Sequence, residues 1–132
     1  MAYEQSNGVI ITLEAAEDLS AKQYNFVKLD ANGKVVITAV ATAGQIPIGV
    51  LQNAPESGEA ATVMIVGVSK VEAGVAFDEG VRIACSDGSS SADNGQAVAA
   101  DALDHVVGQS ITAGAADDYI TAAINCASPT IF

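Results

Sequence analysis

What most restricts the fold of this 132-residue chain is its punctuation. Turn signals recur every ~8–12 residues, and no stretch holds a helical period for as many as about ten. Asn32-Gly33 divides Tyr24–Leu29 from Lys34–Val40 and reads as a two-residue hairpin turn, because Asn and Gly both tolerate the positive φ of a type I′ turn. Asn7-Gly8 precedes the β-branched run Val9–Leu13, and Gly67 parts Ala60–Val66 from Val68–Glu72, which predicts a bend or bulge. Glu14–Lys22 reads as one or two helical turns or a loop, and Ala100–Asp104 as a single helical turn at most. Ser86–Gly95 (SDGSSSADNG) is of low complexity and reads as an exposed loop, followed by a short strand over Gln96–Ala99. The pattern predicts an all-β fold, a compact sandwich or barrel-like module of short strands and hairpins with little helix. Residues 1–7 form an expected N-terminal arm, and 8–132 one β domain.

One motif is stated twice. Ile46-Pro47-Ile48-Gly49-Val50-Leu51-Gln52-Asn53-Ala54 leads through a turn to Glu59-Ala60-Ala61-Thr62-Val63. Fifty-nine positions further on, His105-Val106-Val107-Gly108-Gln109-Ser110-Ile111-Thr112-Ala113 leads to Asp118-Tyr119-Ile120-Thr121-Ala122. Gly49 aligns with Gly108, Ala54 with Ala113, Glu59 with Asp118 and Thr62 with Thr121. Each copy reads as strand, turn, strand, so the sequence builds surfaces by repeated hairpins.

Composition limits what those surfaces can meet. Half the residues are hydrophobic, but Ala and Val dominate, with six aromatics and no Trp. At roughly 25 cal/mol per Å² of buried apolar surface, stability has to come from many small contacts or from surface buried between subunits. Sixteen acidic residues against five basic ones leave a net charge of −11, and no Lys or Arg follows Arg82. Nucleic-acid binding needs clustered cations, so a polyanionic partner is repelled, and an anionic membrane surface likewise. The N-terminus lacks the basic and apolar regions of a signal peptide, and no apolar run approaches the ~20 residues of a membrane span. Cys85 and Cys126 have neither CxxC spacing nor a neighbouring His, and read as buried, inert free thiols.

Residues for chemistry are sparse. His105 opens a predicted strand, and no Gly-x-Ser-x-Gly accompanies it, so a Ser-His-Asp arrangement with Asp101 or Asp104 lacks its serine. Asp87–Asp93 resembles the start of an oxygen-rich calcium loop, but Val98 stands where an EF-hand needs its bidentate Glu. No glycine pattern forms a phosphate cradle. The pairs Glu17-Asp18, Asp78-Glu79 and Asp117-Asp118 lie in polar, turn-like contexts without an aromatic platform for a sugar, and read as solvated turn charges. Neither Lys34, just after Asn32-Gly33, nor Lys70, within Val68-Ser69-Lys70-Val71, has the flanks of a lipoyl or biotin carrier site. No catalytic, cofactor or metal residue is assigned, and the chain is expected not to be an enzyme.

Several segments in order resemble the small decoration, or cement, proteins of tailed-bacteriophage capsids. They are Asp18–Leu29 (DLSAKQYNFVKL), Asn32-Gly33-Lys34-Val35, Ile48–Pro55 (IGVLQNAP), Gly58–Val63 (GEAATV), Gly67-Val68 and Val71–Gly74 (VEAG), within a span of roughly residues 17 to 124. The resemblance implies an all-β, often trimeric module seated on the outside of a capsid shell. It would bind the major capsid protein as a homotrimer, bridge capsomers and stabilise the head, with neither nucleic acid nor membrane as partner. Its place would be the outer surface of the virion, after synthesis in the bacterial cytoplasm. The Ser86–Gly95 loop and the His105 segment depart from the pattern. The alternative is a head-fibre base or surface adhesin that displays this loop to a host or glycan. Candidate shell contacts are Met1, Ala2, Tyr3, Glu4 and Gln5 of the arm, with Asn53, Pro55 and Glu56 of the first turn; this turn and its echo at Gly114 make one contact rim if they share an end of the fold. Val63, Ile65, Val66, Val68 and Val71 fill either the core or an oligomer seam.

Overall fold

A computed structural model describes residues 8–38, 46–86 and 93–132. The expected arm, Met1 to Gln5 included, and most of the Ser86–Gly95 loop lie outside these residues. In chain order the strands are β1 (Val9–Glu14), β2 (Phe26–Leu29), β3 (Val35–Ile37), β4 (Gly49–Leu51), β5 (Ala60–Glu72), β6 (Arg82–Cys85), β7 (Ala97–Ala99), β8 (His105–Val106), β9 (Gly108–Ser110), β10 (Tyr119–Asn125) and β11 (Thr130–Ile131). The described residues contain no helix: of the stretch from Glu14 to Lys22, Glu14 closes β1 and Ala15 forms a bridge, while residues 16–22 and 100–104 are turns and loop. Nine strands form one antiparallel sheet in the order β3-β2-β4-β5-β10-β9-β6-β7, with β1 paired to β5, and β8 and β11 form a separate pair. The sheet curls into an open half-barrel, so the barrel-like form is found and the sandwich is not.

The doubled motif is the visible part of a longer repetition. In the first half, Val27 pairs with Ile37 and Gly49, Leu51 with Val63, and Glu14 with Ala60. In the second, Ile83 pairs with Ala99 and Gly108, Ser110 with Ala122, and Glu72 with Tyr119. Both halves therefore have the same five-strand plan, with β5 serving twice. Its N-terminal part is the last strand of the first half, and its C-terminal part is the first strand of the second. The expected break at Gly67 is instead a continuous strand that changes partners: Val66 pairs with both Val9 and Asn125. Gly67 takes φ 147°, open to glycine, and the register slips beside it, between Val9 and Ile10.

Each half has its own core. Ala15, Leu19, Val27, Val35, Ala61 and Val63 fill the first. At the matching places Ala73, Phe77, Ile83, Ala97, Ile120 and Ala122 fill the second. Large and small side chains trade places, as cores allow when total volume is kept. A parallel bridge also recurs, Ala15 to Val35 in one half and Ala73 to Ala97 in the other.

The hairpin at Asn32-Gly33 forms, but as a five-residue connection and not a type I′ turn. Only Gly33 takes positive φ (75°), because the Asp30 carboxylate accepts from the N–H groups of both Asn32 and Lys34 and organises the wider loop. Those two donors, Lys34 first, hold the Asp30 carboxyl below its ordinary pKa. Lys34 itself pairs with Glu14 across the surface.

The halves pack asymmetrically. Phe26 and Val50 face outward from the first half, yet are fully buried in the core of the second. Their counterparts by register, Arg82 and Gln109, are polar and exposed. Backbone bonds seal the join: Phe26 N–H donates to Gly95 O (2.8 Å), and Glu72 N–H to Tyr24 O (2.9 Å). Gln52 Nε2 donates to Ser69 Oγ (3.0 Å).

Candidate functional site

The two turns between the repeated strands have one hydrogen-bond frame. In the first, Glu56 N–H donates to Glu59 Oε1 (2.7 Å), and Thr62 N–H to Asn53 Oδ1 (3.0 Å). In the second, Ala115 N–H donates to Asp118 Oδ2 (3.0 Å), and Thr121 N–H to Thr112 Oγ1 (2.9 Å). Gly58 and Asp117, one place before the capping acids, both take positive φ (85° and 68°). Their N–H groups donate to the matching carbonyls of Ala15 (2.8 Å) and Ala73 (2.7 Å). The aligned residues thus recur because they make the same turn. Replacing Asn53 with Ala, or Thr112 with Val, removes an acceptor from a strand-start N–H; each is expected to cost about 1 kcal/mol, read by denaturant unfolding.

These turns lie at opposite ends of β5 and cannot form a single rim. The first precedes Ala60, the start of β5, while the second precedes Tyr119, which pairs with Glu72 at its far end. An extended strand of that length spans about 40 Å. Of the shell-contact candidates in the first turn, Pro55 is buried and its carbonyl accepts from Leu19 N–H (2.9 Å). Asn53 is half-buried with both side-chain ends engaged, its Nδ2 donating to Ala60 O (2.9 Å). Glu56 is exposed. Among the candidates for core or seam, Val63 and Val71 are fully buried in the chain's own cores, and Ile65, Val66 and Val68 are half-buried.

Distance in sequence hid one cluster. Tyr24 and Tyr119 meet edge to face at 5.5 Å, and Lys70 Nζ stands 5.4 Å from the Tyr24 ring centre. Beside them Gln96, itself buried, donates from Nε2 to Glu72 Oε1 (2.8 Å) and to Asp117 Oδ1 (3.0 Å). Asp117 is an exposed turn residue, as the sequence reading has it, with Gln96 as a hydrogen-bond partner. Tyr24, at φ 65°, bridges the halves, its carbonyl accepting from Glu72 N–H.

His105 opens β8, half-buried, with Ile131 as its register partner. Among the described residues, no group of three or more His, Cys, Asp or Glu side chains gathers as a metal site. Cys85 and Cys126 are not joined in a disulfide, the first half-buried and the second buried. Burial, with a smaller contribution from Cys85, pushes the Cys126 thiol up to about 12. The fold thus favours the neutral thiol. Its stabilisation is complete below the ordinary thiol range, and is lost as pH rises from there toward about 12. Native protein at pH 8 is expected to leave Cys126 unalkylated by iodoacetamide, with modification following unfolding; rapid native labelling would contradict its burial.

The cores, turns and join define a class of fold: a small all-β module made of two like halves fused through one long strand. No protein-family model and no curated protein matches the sequence. Among solved structures, the chain is similar to the N base of the head fibre protein gp8.5 of bacteriophage phi29. The TM-score is 0.64 at 19% identity, over 94% of this chain and 98% of that one. At this identity the likeness is one of fold.

Proposed function

We propose that this chain is a non-enzymatic structural component of a bacteriophage head, seated on the outer surface of the assembled shell. The observation that carries this reading is the likeness to a head-fibre base over nearly the whole of both chains. Because that likeness covers 98% of the base, it is not confined to a shared hairpin. The charge agrees: a module of −11 is repelled by packaged nucleic acid and suits the outside. In this reading the module bridges neighbouring capsid subunits as a homo-oligomer, a trimer in the expectation from sequence. The like turns at the two ends of β5 support bridging, since they offer one backbone frame to two subunits of a repeating lattice, and paired weak contacts gain avidity.

A second reading, the base of a fibre, is favoured by what the similar structure is. Both readings require shell binding. Purified protein is expected to co-sediment with empty assembled shells and not with free major capsid subunits. Failure to pellet with shells overturns both. Heads that survive heating no better with the protein bound would leave the fibre-base reading and remove the stabilising one.

A further inference from the structure

We propose that a second copy of this chain docks on the patch formed by Leu103, Ile131 and Phe132, with Arg82 of each copy paired to Asp101 of the next. Leu103 is 81% exposed, Ile131 65% and Phe132 51%. The three are held together: Leu103 N–H donates to Phe132 O (3.4 Å), Phe132 N–H donates to Asp104 O (2.9 Å), and Ile131 pairs with His105. Leu103 sits at φ 72°, in the left-handed region that favours glycine, and its side chain points to solvent. Among the described residues nothing covers most of the Leu103 side chain, whereas an apolar contact with another molecule would bury it. Beyond Ile131, β11 has no further strand beside it among the described residues, so the patch also carries an open sheet edge.

Charge identifies the occupant. Copies of a −11 chain repel one another, so their contact is favoured at a surface that carries a cation. Arg82, the last cation in the sequence, is in the patch, with its guanidinium carbon 5.2 Å from the centre of the Phe132 ring. It forms no ion pair among the described residues. Asp101 follows Ala100, whose N–H donates to Arg82 O (2.9 Å), so the backbone brings the two residues to the same end of the fold without pairing their side chains. Asp101 is exposed, and among the described residues only its Oδ1 is engaged, accepting from Ala102 N–H (2.8 Å). An apolar surface that holds an unpaired cation and a half-used carboxylate is complementary to itself. A purely acidic or purely basic partner would leave one of those charges opposed. The same patch accounts for Arg82 standing where the first half has buried Phe26: the polar residue keeps this end soluble until another copy covers it.

The test is the mass in solution, measured by light scattering over a concentration series without shells, so that its failure and that of shell docking are read separately. Wild type is expected at a multiple of 13.2 kDa. Leu103→Gly removes the side chain and relieves the positive φ; it is expected to weaken association at least tenfold without lowering the unfolding temperature. Arg82→Glu is expected to dissociate the copies, and Arg82→Glu with Asp101→Arg to restore them. A wild-type monomer at every concentration, unchanged association in Leu103→Gly, or a charge swap that fails to restore association would each overturn the proposal.

Discussion

Replacing Gly49 with Ala is expected to destabilise the protein by about 3 kcal/mol, with a fall in unfolding temperature of about 10 °C. A Cβ at Gly49 would press on the carbonyl of Met64 and stand 2.6 Å from Val63 Cγ1. Neither can yield: Met64 O belongs to the backbone of β5, and Val63 is fully buried. Gly108 faces the same obstacle at the matching place, where a Cβ would stand 2.5 Å from Ala123 O. Gly108→Ala should therefore cost about as much as Gly49→Ala. Gly58 is the control. It has positive φ (85°) but nothing within 4 Å of a new Cβ, so Gly58→Ala should cost only about 1 kcal/mol of backbone strain. Calorimetry on the three variants decides. Equal small effects would mean that β4 and β9 do not approach their neighbours as closely as the repeated plan requires.

Phe26→Ala is expected to cost about 3–5 kcal/mol, a large share of the roughly 5–15 kcal/mol that holds a domain folded. Phe26 belongs to β2 of the first half, yet its side chain is wholly buried in the second core, beside Val50. Its loss should weaken both halves together. Circular dichroism and the reactivity of Cys126, which lies in that second core, should report one common midpoint in wild type and variant alike. Separate transitions would show two independently folding halves, and would contradict a join sealed by Phe26, Tyr24 and Gln52.

Much of this plan was legible in the sequence, and the limits have physical causes. Gly49/Gly108, Glu59/Asp118 and Thr62/Thr121 stand at one constant offset because they build a close strand approach and a capped turn, which tolerate few alternatives. The earlier strands of each half repeat the same pairing plan. Their cores, however, exchange Val35 and Ala61 for Ala97 and Ile120, so identity disappears while volume is kept. The first half also carries Gln23 and Tyr24 as an excursion ahead of β2, which breaks the offset. Gly67 was readable as an irregularity. That it is the point where one strand passes between halves follows only from pairings with Val9 and Asn125 at the two ends of the chain. The Asn32-Gly33 turn was legible as a hairpin but not in type, since the Asp30 carboxylate selects the longer loop. Of the candidate site, the two turns could be found from their motifs. Their placement at opposite ends of β5, the meeting of Tyr24 with Tyr119, and the Leu103–Phe132 patch come from antiparallel pairing between distant segments, which local patterns do not encode.

The central claim is that this is a structural module seated on the outside of a phage head. Cryo-electron microscopy of heads assembled with and without the protein tests it most directly. The account predicts added density on the outer surface only, at junctions between neighbouring capsid subunits, into which the two-halved β module fits with its turns toward the shell. Density inside the shell, or none on heads saturated with the protein, would contradict it.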